Sequence, residues 1–140
     1  MTIQQGTCTI FKQNCLSALE NFAVGTPYTY KIALYTANAD LSYATTAYTT
    51  VGEVVGTGYT AGGEVLTVIP PTSYEQTAYL SFNNATWTVV SFTCRGALIY
   101  NSTTNAAVAV LDFGSDKVAG PNFVVTFPTA SYTTAIIRFN

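Results

Sequence analysis

The sequence predicts an all-β fold: a jelly-roll-like β-sandwich of about eight antiparallel strands, the jelly-roll number, with one short N-terminal helix. Three observations predict it. Short runs rich in Val, Ile, Tyr, Phe and Thr recur along the chain, and clusters of Gly, Pro and Asn punctuate them. β-branched and aromatic side chains fit a pleated, half-buried surface, whereas the punctuating residues suit turns. The stretch Trp87–Phe113 reads as two apolar runs around NSTTN, which is a hairpin pattern with a five-residue loop. Finally, only one segment, near the N-terminus, has a helical spacing of apolar residues. At 140 residues the chain, 1–140, is expected to form a single domain with a real core.

The helical segment is expected over about 9–22, because Phe11, Cys15, Leu19 and Phe22 recur at helical spacing. Thr7 or Thr9 would cap it, Lys12 and Glu20 would sit on its wet face, and Gly25-Thr26-Pro27 would stop it. It would lie across one end or edge of the sheet, or serve as a partner-binding arm. Tyr28–Tyr35 is the first strand, with Tyr30, Ile32 and Leu34 facing one way and Lys31, Ala33 and Tyr35 the other. Residues 36–50 read as a loop with a helical turn around Asp40–Tyr43 and a ragged edge strand over Thr45–Thr50. Gly52, Gly56, Gly58, Gly62 and Gly63 suggest turns and bulges that need positive φ.

Val65–Ile69 is expected to be an edge strand ended by Pro70-Pro71, and 72–80 a connection to a strand over Ala78–Phe82. Asn83-Asn84, Gly114–Lys117 and Ala119-Gly120-Pro121 read as turns. Trp87 to Tyr100 and Ala106 to Phe113 form the central hairpin, with Arg95 and Asp112 as cross-strand partners. Asn122–Phe127 and Ala135–Phe139 complete the set.

Composition narrows the function classes. Charged residues make up 9 % of the chain and apolar ones 49 %; an average domain carries about 25 % charge. Such a neutral polar surface has little repulsion between copies and favours assembly. The five basic residues, Lys12, Lys31, Arg95, Lys117 and Arg138, are scattered, so nucleic acid is not an expected partner. No apolar run is long enough for a membrane span, and MTIQQGTCTIFKQNC lacks a signal-peptide pattern. The expected place of synthesis is therefore the cytoplasm of the producing cell.

Three cysteines, Cys8, Cys15 and Cys94, argue against a disulfide framework. If Cys8 and Cys15 share a helix, their seven-residue separation puts them about 10 Å apart along its axis, too far for a bridge. With no CxxC and no histidine, neither a zinc site nor a Ser-His-Asp or Cys-His arrangement is expected. The glycine-rich stretch lacks the following Gly-Lys-Ser/Thr of a phosphate loop, and Glu64 would repel phosphate. Glu53 with Glu64, and Asp112 with Asp116, are the candidate carboxylate pairs. A glycosidase would hold such a pair roughly 5 to 9 Å apart, but each reads more simply as turn residues. No catalytic, cofactor or metal residue is assigned, and the expected protein is not an enzyme. Tyr43, Tyr48, Tyr59 and Tyr74 lie in loop-like segments and are candidate contact residues, the alternative being that they cap their own core edges.

The stretch EVVGTGYTAGG (Glu53 to Gly63), then RGALIYNSTTNAAVAVLDFGSDK (Arg95 to Lys117) and the ending FVVTFP…AIIRF resemble small virion proteins of tailed bacteriophages. In that family GxGYxAGG, RGALIYN and LDFG occur in the same order. Within it the chain is most similar to the capsid cement (decoration) proteins of podophages such as those of Bordetella. The resemblance implies a virion protein, made in the host cytoplasm, that binds the outer surface of an icosahedral shell as a homodimer. Its partner would be the major capsid protein, whose neighbouring subunits it would clamp. A neck, tail or fibre-base component, or a carbohydrate-binding jelly roll, is the alternative.

Overall fold

The computed structural model describes residues 2–25 and 27–139. Ten strands and one helix follow the order β1 (Gly6–Thr7), α1 (Thr9–Leu16), β2 (Tyr30–Tyr35), β3 (Glu64–Val65), β4 (Val68–Tyr74), β5 (Thr77–Phe82), β6 (Ala85–Thr88), β7 (Phe92–Asn101), β8 (Ala107–Ala119), β9 (Asn122–Val125) and β10 (Ile137–Phe139). The protein is mainly β, as the sequence predicts, with ten strands in place of eight. All the strand pairings are antiparallel, in a five-stranded sheet β1-β8-β7-β2-β3, a three-stranded sheet β10-β5-β4 and a two-stranded ribbon β6-β9.

The central hairpin β7–β8 dominates the large sheet. Its 102–106 loop is shaped by Asn101, whose side-chain oxygen accepts the Thr103 and Thr104 N–H groups, and by Asn105 at φ 70°. An Asn in such a turn satisfies backbone donors that no strand can reach. β2 pairs with β7 over its whole length, Tyr30 opposite Asn101 and Tyr35 opposite Gly96. Five of its six residues are buried, because both faces of this sheet are covered.

On one face Tyr30 stacks on Phe22 at 4.3 Å, and Phe22 meets Phe82 of β5 at 6.3 Å. On the other, Tyr48 stacks on Tyr100 at 4.7 Å and the Tyr35 hydroxyl donates to the Thr49 carbonyl at 2.6 Å. The long connection 36–63 forms that second cover. The β6–β9 ribbon closes the far end through Trp87, Phe92, Phe113 and Phe123.

Several expectations are corrected. α1 stops at Leu16, because Ala18 adopts φ 57° and the Leu19 N–H folds back to the Asn14 carbonyl. Within α1 only Phe11 is buried, and Leu19 is exposed; Phe22 reaches the core from the following loop, which mimics helical spacing. Cys8 takes the N-cap position without a side-chain cap, with Thr7 in β1 and Thr9 already helical. Its N–H is spent on the Val108 carbonyl. Cys8 and Cys15 thus do not share the helix; all three cysteines are free thiols. The Asp40–Tyr43 helical turn is replaced by a parallel bridge from Leu41 to Ile3, and of Thr45–Thr50 only Ala47 pairs, with Ala106.

Val65–Ile69 is not one strand, and Pro70-Pro71 does not end it. The prolines sit in a bulge of β4, an edge strand whose outward side needs no N–H donors. Residues 72–80 are a tight hairpin into β5, turned by Glu75 at φ 52°. Trp87 belongs to β6 opposite Phe123, and not to the central hairpin. Val89 at φ 53° and the Val90 N–H to the Pro121 carbonyl break the chain between β6 and β7. Gly114–Lys117 is no turn: β8 bulges there with Gly114 at φ 82°, and the ladder resumes at Lys117 opposite Cys94.

Candidate functional site

Beyond the end of β3, the outer side of β2 is finished by the connection. The Val54 N–H donates to the Leu34 carbonyl at 2.9 Å, and the Leu34 N–H donates to the Tyr59 hydroxyl at 2.9 Å. This places Glu53 opposite Tyr35, with its carboxylate buried among tyrosines. Oε2 accepts the Tyr48 hydroxyl at 2.6 Å; Oε1 accepts the Tyr59 hydroxyl and the Gly62 N–H, both at 2.7 Å. The Tyr100 hydroxyl donates to the Gly62 carbonyl at 2.8 Å. Gly63 makes the approach possible: at φ 77° any Cβ there would strike the Ile32 carbonyl.

Burial is the main reason the Tyr48 and Tyr59 hydroxyls hold their protons far above the usual phenol range, with the Glu53 carboxylate adding to it. Burial, then Glu53, pushes Tyr100 up to about 12. Charge-assisted hydrogen bonds of this kind are strong. A buried carboxylate with three protein donors is a tie between segments and is poorly placed for proton transfer to a substrate.

A second carboxylate, Glu20, accepts the Asn101 side-chain amide at 2.9 Å and the Tyr30 hydroxyl at 3.2 Å, both on Oε1. Its Oε2 is buried without a partner. Desolvation raises its pKa, and the hydrogen bonds from Asn101, Tyr30 and Asn14 oppose the rise. Glu20 therefore does not lie on a wet helix face. Burial also pushes the thiols of Cys8 and Cys15 to about 11 and that of Cys94 to about 12, with Glu20 contributing at Cys15. Such thiols are poor nucleophiles.

The candidate carboxylate pairs do not assemble. Glu53 is buried, while Glu64 is exposed on β3. Asp112 receives Arg95 Nε at 3.2 Å and the Gly114 N–H at 2.8 Å, and these hold its carboxyl below the ordinary range, the Gly114 bond first. Asp116 is exposed within the bulge. The cross-strand pairing of Arg95 with Asp112 is as the sequence predicts. Among the described residues no three His, Cys, Asp or Glu side chains cluster as a metal site.

Of the candidate contact tyrosines, Tyr43 and Tyr74 are exposed, and Tyr74 stacks on Tyr132 at 4.6 Å. Tyr48 and Tyr59 instead face inward onto Glu53. The sequence carried one clue to that cluster, a lone acid in a glycine-rich apolar stretch between two tyrosines.

Several large apolar side chains stand in solvent. Leu16 is 91 % exposed, Val55 96 %, Val118 86 % and Val24 84 %. Between β8 and β9 lies an open cleft of about 430 Å³ whose lining includes Leu111, Phe113, Val125, Phe127 and Ile136, with Gln5 and Lys117 among its polar residues. Among the described residues no helix is long and apolar enough to cross a membrane. No protein-family model matches the chain, and no curated protein or solved structure is significantly similar to it.

Proposed function

We propose that this chain is a structural protein of a tailed-phage virion, acting as a capsid cement (decoration) protein on the outside of the shell. In this reading its strands follow a jelly-roll-like path, it pairs with a second copy as a homodimer, and it clamps neighbouring major capsid protein subunits. The carrying observation is the surface: large apolar side chains such as Leu16, Val55 and Val118 stand in solvent, on a chain only 9 % charged. A surface with so little charge carries little repulsion between neighbouring copies, which favours association. Modest contacts suffice where many copies act together and each bridges two subunits. The buried carboxylate Glu53, whose donors are Tyr48, Tyr59 and the Gly62 N–H, serves the scaffold, which supports a non-catalytic role. Trp87 is buried at 2 % exposure and offers no platform for a sugar ring, so the carbohydrate-binding alternative is the weaker one.

The test is co-sedimentation of the purified chain with empty shells of the phage that encodes it, with the shells then heated. The expected result is saturable binding at a fixed ratio and a higher disruption temperature for the decorated shells. Absence from the shell pellet would overturn the cement reading. A stable ring of six or twelve copies in solution would move the protein to the neck or tail.

A further inference from the structure

The strand edges of this protein are not protected alike. β1 and β3, at the two sides of the large sheet, are two residues long. β4 carries Pro70 and Pro71 in a bulge. Where β8 runs on past β1, its Asp112 N–H is held by the Gln5 side-chain oxygen at 3.1 Å and its Gly114 N–H by the Asp112 carboxylate at 2.8 Å. Short edges, prolines, bulges and side-chain caps keep foreign strands from adding.

β9 is four residues long, with no proline and no bulge inside it. It pairs with β6 on one side only. The Phe127 N–H turns toward that side, to the Asn84 side-chain oxygen at 3.0 Å. Backbone groups alternate sides along a strand, so those of Val124 and Thr126 face away from β6. They border the cleft of about 430 Å³ that separates β9 from β8.

The cleft has a chemistry of its own. Phe113 and Phe123, which meet at 6.0 Å, both line it, together with Leu111, Val125 and Phe127. Lys117 lies on its rim, exposed and in no ion pair among the described residues. The Asp112 carboxylate, by contrast, is already answered by Arg95 at 3.2 Å. Pro121 and Pro128 bound the usable edge.

We propose that this cleft receives an extended strand of a partner polypeptide, which adds to β9 through the main chain of Val124 and Thr126. The fitting segment alternates β-branched apolar residues with neutral polar ones, and carries an acidic side chain that meets Lys117. Main-chain bonds supply the affinity of such strand addition, and alternate side chains supply the specificity. The proposal holds whether or not the partner is a capsid subunit.

The probe is a fluorescent, end-capped octapeptide of alternating Thr and Val with one central Asp, followed by anisotropy against the full chain. Saturable binding is expected, weakened at least about tenfold, a difference of one decade in Kd, by Thr126→Pro, which removes the outward N–H. Thr126→Ala should bind like the parent. The same peptide N-methylated at alternate residues should not bind, and replacing its Asp by Asn should weaken binding and its salt dependence. No binding of the parent peptide, or equal binding of the N-methylated one, would overturn the proposal. Should Thr126→Pro fail to fold, the N-methylated peptide still decides the matter.

Discussion

Two carboxylates fasten connecting segments onto the two faces of the central sheet, and the two are fastened differently. Glu53 ties the 48–62 stretch, with both oxygens occupied by Tyr48, Tyr59 and the Gly62 N–H. Glu20 ties the segment between α1 and β2, with Tyr30 and Asn101 on Oε1, the Asn14 side chain as a further donor, and a buried Oε2 that makes no close hydrogen bond. A buried charge is tolerated when its lone pairs are answered and resisted when they are not. The first tie should therefore act as a fixed part of the scaffold. The second should be the weaker seam, governed by its protonation.

The comparison can be broken by substitution. Gly63→Ala should be the most damaging change, because it combines a φ of 77° with a clash on the Ile32 carbonyl. A loss of about 3 kcal/mol or more is expected in urea unfolding. Glu53→Ala should follow closely, also at about 3 kcal/mol, since it strands buried donors that had a charged acceptor. Tyr59→Phe removes a hydroxyl that both donates to Glu53 and accepts the Leu34 N–H. A loss of about 1 to 3 kcal/mol is expected, with the Leu34 amide exchanging faster.

Glu20→Gln should lie within about 1 kcal/mol of the parent near neutral pH, and its sign should depend on pH. The folded-state pKa of Glu20 is raised above its ordinary value, chiefly by burial. Its protonated form is thus favoured by folding. The stability it contributes is complete below the ordinary carboxylate range and is lost as pH rises through the raised value. Unfolding curves between about pH 4 and pH 7, the span around a carboxylate pKa, should show the Gln variant gaining on the parent as pH rises. The smallest effect is expected from Arg95→Ala, because both partners of that pair are partly exposed, at 34 % and 27 %. A change of at most about 1 kcal/mol is expected there, diminishing in salt.

The parts readable from sequence are those set by local chemistry. The NSTTN loop carries turn residues and forms a turn; β2 shows its facing pattern; Arg95 and Asp112 meet across the hairpin. The rest depends on distant packing. Phe22 copies helical spacing, yet it is held by stacking on Tyr30. Trp87 reads as the start of β7, but it finds Phe123 of a separate ribbon. Pro70-Pro71 and Gly114 look like stops, but an edge strand and a bulge absorb them. The Glu53 cluster was hidden because its tyrosines sit in segments without periodicity, and only the fold brings them inward. Nothing local announces that β9 lacks a second neighbour.

Amide hydrogen exchange at a single pH tests the difference between the two ties most directly. The Gly62 and Leu34 amides are expected to exchange only through global unfolding, and the amides around 17–23 much sooner, through local opening. Early exchange at Gly62 and Leu34, with lasting protection around 17–23, would contradict the distinction between a satisfied and an unsatisfied carboxylate.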